Sequence, residues 1–153
     1  RRSLPSFPIP GFSPRMPAVR IARPRFRSLF FGWLQDFLMN KDCLFCKIVS
    51  GEIPSTKVYS DEEFYAFKDI NPAAPRHVLV IPRKHIATVL DATTEDEGLL
   101  GRLVLRANAI AETLGIGAGG FRYVINSGDH GGQTVFHLHL HVLGGRALSW
   151  PPG

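Results

Sequence analysis

The stretch HLHLHV, residues 137–142, constrains the fold more than any other part of this chain. It places three of the six histidines at every second position, alternating with apolar residues. A period of two is typical of a β-strand, in which residues i, i+2 and i+4 share one face at intervals of about 6.5–7 Å. We therefore expect the three histidines to project together, and the alternate residues to pack under a helix on the other face. The histidines are His137, His139 and His141, and the alternate residues are Phe136, Leu138, Leu140 and Val142.

Three functions are open to such a row of imidazoles. It could be a solvated strand face, although lysine, threonine or glutamate would serve there as well. It could bind zinc, because alternate histidines on a strand can coordinate one metal ion. It could also act in nucleophilic catalysis, since a neutral imidazole keeps a lone pair at pH 7 and can attack carbon or phosphorus.

The loop before the histidines bears on this choice. SGDHGGQT, residues 127–134, combines turn glycines with an amide and a hydroxyl, and its N–H groups could form an anion-binding nest. Such donors stabilise charge that develops on phosphate oxygens. A plain hairpin loop would look similar, and His130 within it is interpreted as a solvated loop residue. Beside three strand histidines, however, the loop favours phosphate chemistry.

The periodicity of the rest of the chain predicts an α+β domain, with about five strands in a mainly antiparallel sheet, one long helix and one or two short helices. A short helix is expected in residues 42–54, capped by Asp42 and ended by Gly51, and the long helix in residues 93–115 behind a threonine cap. The expected strands are a hairpin over 58–70, the apolar run HVLVIP at 77–82, FRYVIN at 121–126 and VFHLHLHVL at 135–143.

Charge divides the chain into two parts. Residues 1–38 hold seven arginines and one aspartate, a net charge of +6, whereas residues 39–153 hold eleven basic and twelve acidic residues. The basic character therefore lies in the first part, and nucleic acid is not an expected partner of the folded domain. We expect residues 1–38, which contain six of the twelve prolines, to be disordered. They are either an organelle-targeting segment or sequence upstream of a natural start at Met39.

The two cysteines, Cys43 and Cys46, have C-x-x-C spacing. This spacing fits half of a zinc site, a redox pair, or two buried apolar cysteines. So few cysteines argue against a disulfide-stapled secreted fold, and a reducing compartment such as the cytoplasm is expected. The chain has no apolar run of the roughly 18 residues that span a membrane, so no membrane association is expected.

The segment GGQTVFHLHLHVLGGR resembles the motif of the histidine triad family of nucleotide-binding proteins. FCKIVSGEIPSTKVY, AFKDINPAAPRHVLVIPRKHI and the final WPPG are similar to the same family in the same order, so that the resemblance covers residues 42–153. The ending resembles the Hint branch of purine nucleoside phosphoramidases rather than the Fhit dinucleoside-polyphosphate hydrolases.

The resemblance implies a catalytic role for each histidine of the site. His139, the middle residue of the triad, would attack the α-phosphorus of a purine nucleotide, and water would later hydrolyse the nucleotidyl-histidine. His141 would contact the phosphate and assist proton transfer, while His77 and His137 would support the site.

The same resemblance implies the nucleotide contacts. The phosphate would meet Asn126, Gly132, Gln133 and Thr134. The ribose and base would meet Asp69 and Ile70, with Ile48 as a further apolar contact; Phe67 is interpreted as core. The chain would form a homodimer with one continuous sheet, in which Trp150 reaches the partner's substrate, unless the Trp-Pro-Pro end packs only on its own domain.

The resemblance also implies a metal. Relatives with this cysteine pattern bind zinc through two further ligands, which here are His85 and His137. A closed site of four ligands, Cys43, Cys46, His85 and His137, would make the Zn²⁺ structural, and no cofactor is expected to be needed for the chemistry.

Overall fold

A computed structural model describes residues 40–151. The predictions for residues 1–38, for Met39 and for the last two residues lie outside this range. The described chain forms one five-stranded antiparallel sheet with the strand order β1-β2-β3-β5-β4, and the predicted α+β class is confirmed. The strands are β1 (Lys57–Ser60), β2 (Phe64–Lys68), β3 (Arg76–Pro82), β4 (Phe121–Val124) and β5 (Leu140–Gly144). The α-helices are α1 (Leu44–Ser50) and α2 (Glu97–Thr113).

The long helix α2 covers one face of the sheet. It buries Leu103, Ala107, Ile110 and Ala111 against alternate residues of the central strands, which include Val78, Val80, Leu140 and Val142. Val104 belongs to the same apolar pattern but is 40 % exposed, so it lies at the margin of this core. The N-cap of the helix is Asp96 rather than the predicted threonine. Thr93 instead caps a single 3-10 turn ahead of the helix, in a reciprocal capping box with Asp96.

The opposite face of the sheet carries the short helix α1 and a smaller core. Phe45, Cys46 and Ile48 of α1 pack there with Phe67, Leu79 and Ile81. Gly51 ends α1 in the left-handed conformation, with φ of 84°, as the sequence indicates. The helix begins one residue later than expected, because Cys43 rather than Asp42 occupies the N-cap position.

The strand predicted over residues 135–143 is shorter than expected. Only Leu140–Gly144 joins the sheet, because the N–H of His137 donates to the carbonyl of Val135 at 2.9 Å, which closes a three-residue turn. Phe136, at the tip of this turn, is 48 % exposed, so the prediction that it packs under the helix is wrong. Leu138, Leu140 and Val142 are buried in that core, as predicted.

No helix within residues 40–151 is long and apolar enough to cross a membrane.

Candidate functional site

The histidines gather on the face of the sheet opposite the long helix. His141 lies on β5 and His77 on the neighbouring strand β3, while His139 comes just before β5. The rings of His139 and His141 have centroids 4.9 Å apart, and those of His77 and His141 5.1 Å apart. The predicted catalytic histidines therefore form one cluster. His137 is completely buried, and its ring lies against Cys43, the N-cap of α1, and Cys46 in its first turn.

One hydrogen bond fixes the protonation of His139. Its Nδ1 donates to the backbone carbonyl of His137 at 2.6 Å, and since a carbonyl only accepts, the proton of the neutral ring is on Nδ1. The lone pair is consequently on Nε2. The ring of Phe45 packs edge-on against that of His139, with ring centroids 5.3 Å apart, and helps to hold it in place.

Two successive hydrogen bonds fix the other tautomer in His141, with the proton on Nε2. The N–H of Ala73 donates to Nδ1 of His77 at 3.1 Å, so neutral His77 carries its proton on Nε2. That Nε2 donates to Nδ1 of His141 at 2.8 Å, which leaves the proton of His141 on its own Nε2. This Nε2 is buried and has no hydrogen-bond partner among residues 40–151, so it is available as a donor to a ligand.

Burial keeps these rings neutral. It lowers the pKa of His139 and that of His77, and the nearby Asp69 carboxylate opposes the shift in both cases. The pKa of His141 falls to about 4, because burial is reinforced by the neighbouring His139 and His77. At pH 7 the site therefore holds an uncharged imidazole with a free lone pair beside an uncharged imidazole with a free N–H.

The loop that precedes the histidines is organised by Gln133. Its side-chain oxygen accepts from the N–H of Gly128 at 3.0 Å, and its amide donates to the carbonyls of Ala87 and Val135. With these bonds made, buried Gln133 holds the loop in shape and has no amide hydrogen left for a direct phosphate contact. Asn126 also bonds within the loop, to the carbonyl of Gly132 at 3.5 Å.

The predicted donor that remains free is Thr134. It is exposed, and neither its hydroxyl nor its N–H bonds to another residue of the part of the chain that the structure describes. Gly132, with φ of 76°, lets the loop turn back at the residue before Gln133. The loop therefore presents the hydroxyl of Thr134, three residues before His137 in the chain, on a backbone held by Gln133.

Of the predicted ribose and base residues, Asp69 contacts the cluster at His77. Asp69 follows β2, and its Oδ2 is 3.4 Å from Nε2 of His77. The side chain of Ile70 is 90 % exposed and could meet a ligand. Ile48 and Phe67 are buried in the small core, so in this conformation they offer little surface.

Trp150 lies at the end of the described chain and is 82 % exposed, so its ring is not packed on its own domain. The segment before it is fixed, because Arg122 donates to the carbonyl of Ser149 at 2.6 Å. A held backbone that presents a free indole is suited to a contact with another molecule.

Cys43, Cys46, His85 and His137 bring four possible metal ligands together at the base of α1. The Sγ···Nδ1 distances are 3.5, 3.5 and 3.6 Å, and the two Nδ1 atoms are 3.3 Å apart. A zinc tetrahedron with ordinary bond lengths has edges of about 3.6 Å between S and N and about 3.3 Å between two N. The donor set and its spacing therefore fit Zn²⁺.

The protonation of His137 agrees with this fit. Its Nε2 donates to the carbonyl of Pro82 at 2.8 Å, so the lone pair of Nδ1 faces the two cysteines. A metal-binding histidine is commonly held in this way, by a carbonyl on its second nitrogen. Burial also lowers the pKa of His137 to about 4, which keeps the ring neutral and able to bind a metal at pH 7.

Sequence reasoning missed the contact of Asp69 with His77 and the part played by Ala73. Asp69 and Ala73 belong to the loop between β2 and β3, and at its base the N–H of Asp69 donates to the carbonyl of His77, on β3, at 3.1 Å. The signal that could have found the contact is the placement of Asp69 and His77 at the two ends of one hairpin loop.

Known proteins resemble this chain in both sequence and fold. Residues 50–148 match the HIT domain family. The chain is 56 % identical to an uncharacterised HIT-like protein of Synechocystis over 115 residues, which are 75 % of this chain and 100 % of that protein. It is 48 % identical to the purine nucleoside phosphoramidase of Escherichia coli over 110 residues, which are 72 % of this chain and 92 % of the relative.

Solved structures show the same fold. A HIT family hydrolase from Legionella pneumophila has a TM-score of 0.72 and 51 % identity, covering 73 % of this chain and 100 % of its own. A HIT family hydrolase from Clostridium thermocellum has a TM-score of 0.71 and 49 % identity, covering 72 % of this chain and 96 % of its own. With three histidines in the alternating motif, the matched residues and this shared fold, the chain belongs to the HIT domain family.

Proposed function

We propose that this protein hydrolyses purine nucleoside 5′-phosphoramidates, releasing the nucleoside monophosphate and an amine, through a covalent nucleotidyl-histidine. The observation that carries the proposal is the fixed tautomer of His139: the ring is neutral, and its Nε2 accepts no hydrogen bond from residues 40–151. The name of the Escherichia coli relative, which describes a phosphoramidase, supports the choice of substrate.

Each step uses a group that the site presents. Nε2 of His139 attacks the α-phosphorus, a P–N bond to the imidazole forms, and the P–N bond to the amine breaks. The Nε2–H of His141 and the hydroxyl of Thr134 donate to the phosphate oxygens, and His141 assists the transfer of a proton to the departing amine. Water then cleaves the nucleotidyl-histidine, which restores His139 and releases the monophosphate.

Asp69 and Ile70 bind the nucleoside part. The Asp69 carboxylate accepts hydrogen bonds from the ribose 2′- and 3′-hydroxyls, and exposed Ile70 packs against the purine.

The four ligands at the base of α1 hold a structural Zn²⁺, in our proposal, and the chemistry itself needs no cofactor. The tetrahedral spacing of the four donor atoms supports this, and the free thiols fit a reducing compartment such as the cytoplasm. The double variant Cys43→Ser, Cys46→Ser should lose its bound metal and melt at a lower temperature. Unchanged metal content by mass spectrometry and an unchanged melting temperature would contradict the proposed Zn²⁺ site.

A homodimer completes the proposal, with a second copy pairing along β4. Within residues 40–151 this strand pairs on one side only, and Leu105 of α2 is 66 % exposed. An open strand edge beside exposed apolar surface favours association. Trp150 would then touch the substrate of the partner. Sedimentation should give twice the chain mass, and a monomer at micromolar concentration would exclude the continuous sheet.

The test of substrate compares turnover on adenosine 5′-phosphoramidate with turnover on a diadenosine polyphosphate. The proposal requires the phosphoramidate to have the higher kcat/KM. A preference for the polyphosphate would instead indicate a dinucleoside polyphosphate hydrolase. Tight nucleotide binding without release of monophosphate would indicate a binding module.

A further inference from the structure

Asp69, proposed above as a ribose contact, also lies beside His77. Its side chain is only 16 % exposed, and the two carboxylate oxygens are used differently. Oδ1 accepts from the N–H of Asn71 at 2.8 Å, which fixes the carboxylate within the β2–β3 loop. Oδ2 is then held 3.4 Å from Nε2 of His77.

This contact acts on the proton of His77. Nε2 faces both Nδ1 of His141, at 2.8 Å, and the carboxylate of Asp69. A negative charge beside Nε2 favours the proton on that nitrogen over Nδ1. The Ala73 N–H on Nδ1 favours the same tautomer from the other side of the ring. The tautomer of His77 in turn decides which nitrogen of His141 carries the N–H that faces the site.

We propose that Asp69 is a positioning residue for the His77–His141 pair as well as a ribose contact, so that one carboxylate links recognition of the sugar to the phosphate site. The inference rests on the proposed function for its substrate. It implies that removing the charge of Asp69 lowers kcat, whereas removing the sugar hydroxyls from the substrate affects mainly KM.

The negative charge of Asp69 acts on both His77 and His141. The carboxylate raises the pKa of His141 as well as that of His77, against the larger effect of burial. A group that served the sugar alone would not need to lie within reach of both rings. The shared loop explains the geometry, because Asp69 and His77 pair through their backbones at its base.

A substrate without the sugar hydroxyls separates the two roles. We would measure kcat and KM for the wild type and Asp69→Asn on adenosine 5′-phosphoramidate and on its 2′,3′-dideoxy analogue. Asparagine keeps an oxygen for the Asn71 N–H and loses the charge, and Glu62→Gln, on an exposed turn, is the control for the change in net charge. We expect Asp69→Asn to lower kcat about tenfold or more on both substrates, as when a group that orients a catalytic histidine is lost.

Histidine tautomers provide a readout that needs no substrate. Long-range ¹⁵N–¹H NMR of the ligand-free protein should show His77 and His141 as Nε2–H in the wild type and in Glu62→Gln, and a shift of His77 toward the Nδ1–H form in Asp69→Asn. Unchanged tautomers in Asp69→Asn, or an unchanged kcat on the dideoxy substrate, would overturn the proposal. If the wild type turned over neither substrate, the proposed function would fail, and the NMR result would still decide the role of Asp69.

Discussion

Single hydrogen bonds to backbone groups give chemically identical side chains different tasks. The carbonyl of His137 leaves a lone pair on Nε2 of His139, whereas the Ala73 N–H, acting through His77, leaves an N–H on Nε2 of His141. The carbonyl of Pro82 directs Nδ1 of His137 toward the cysteines. At the scale of the residue, the site is therefore a set of tautomers that protein hydrogen bonds select.

The hydroxyl of Thr134 gives a test at this scale. Thr134→Val removes a hydroxyl that makes no hydrogen bond to residues 40–151, so the free energy of unfolding should change by less than about 0.5 kcal/mol. Turnover should fall by about 10²-fold, since a lost donor to a developing oxyanion has an effect of that order. Steady-state kinetics beside thermal melts would measure both.

Thr134→Ser is the matched control, because it keeps the hydroxyl on the same backbone. It should retain most of the activity. Equal activity in Thr134→Val and Thr134→Ser would show that this hydroxyl does not meet the phosphate.

At the scale of the element, the site depends on how strands and helices begin and end. β5 starts only at Leu140, and after the three-residue turn before it, His137 lies against the two cysteines at the start of α1 and His139 against Phe45. The short helix α1 ends at Gly51 in a conformation that few other residues adopt. His137 and His139 thus lie just before the sheet begins, whereas His141 and His77 lie on the paired strands β5 and β3.

Two glycine substitutions should have opposite effects on stability. Gly51→Ala forces a side chain into a backbone with φ of 84° and should destabilise the fold by about 1 kcal/mol. Gly101→Ala lies on the exposed side of α2, has nothing within 4 Å of its new Cβ, and should stabilise by about 0.5–1 kcal/mol. Denaturant unfolding of both variants gives the change in the free energy of unfolding. A change of the same sign in both would contradict the positive φ of Gly51 or the exposed helical position of Gly101.

The sequence was sufficient for the elements whose periodicity extends over many residues. The long helix, the buried strand β3 and the hairpin of β1 and β2 lie where their patterns predict, and the alternating histidines identified the cluster. The turn at Phe136 was missed because one local hydrogen bond, from the N–H of His137 to the carbonyl of Val135, closes it, and the hydrophobic pattern does not reveal that bond. Gln133 was expected to contact phosphate directly, yet its partners Ala87 and Val135 come from a tertiary arrangement that spacing does not reveal.

At the scale of the whole molecule, the long helix and the site occupy opposite faces of one sheet. The apolar side chains of β3 and β5 that face α2 alternate with the side chains that face the site, such as Leu79 and His141, which pair across the two strands. The core therefore fixes the register of β3 against β5, and the register brings His77 beside His141. Stability and chemistry consequently share the same two strands.

The buried histidines make stability depend on pH. The pKa of His141 is about 4 in the folded protein and near 6.5 when unfolded, so between these values the unfolded chain binds a proton that the folded chain does not. The contribution of neutral His141 to the free energy of unfolding is therefore complete above pH 6.5, and it is lost as the pH drops from 6.5 toward 4. The slope from this one group is at most about 1.4 kcal/mol per pH unit, which solvent screening reduces.

Denaturant unfolding at a series of pH values would check this dependence. The variant His141→Gln should show a shallower decline between pH 6.5 and 4 than the wild type. Parallel curves for the two proteins would mean that His141 titrates alike in the folded and unfolded chains.

The most direct test of the account is mass spectrometry of the protein quenched in acid-free conditions during turnover of adenosine 5′-phosphoramidate. We expect an adenylyl adduct on the peptide that contains residues 137–142, located on His139 and absent from His139→Ala. Turnover that proceeds without such an adduct at any stage, or an adduct that persists in His139→Ala, would contradict the assignment of His139 as the nucleophile.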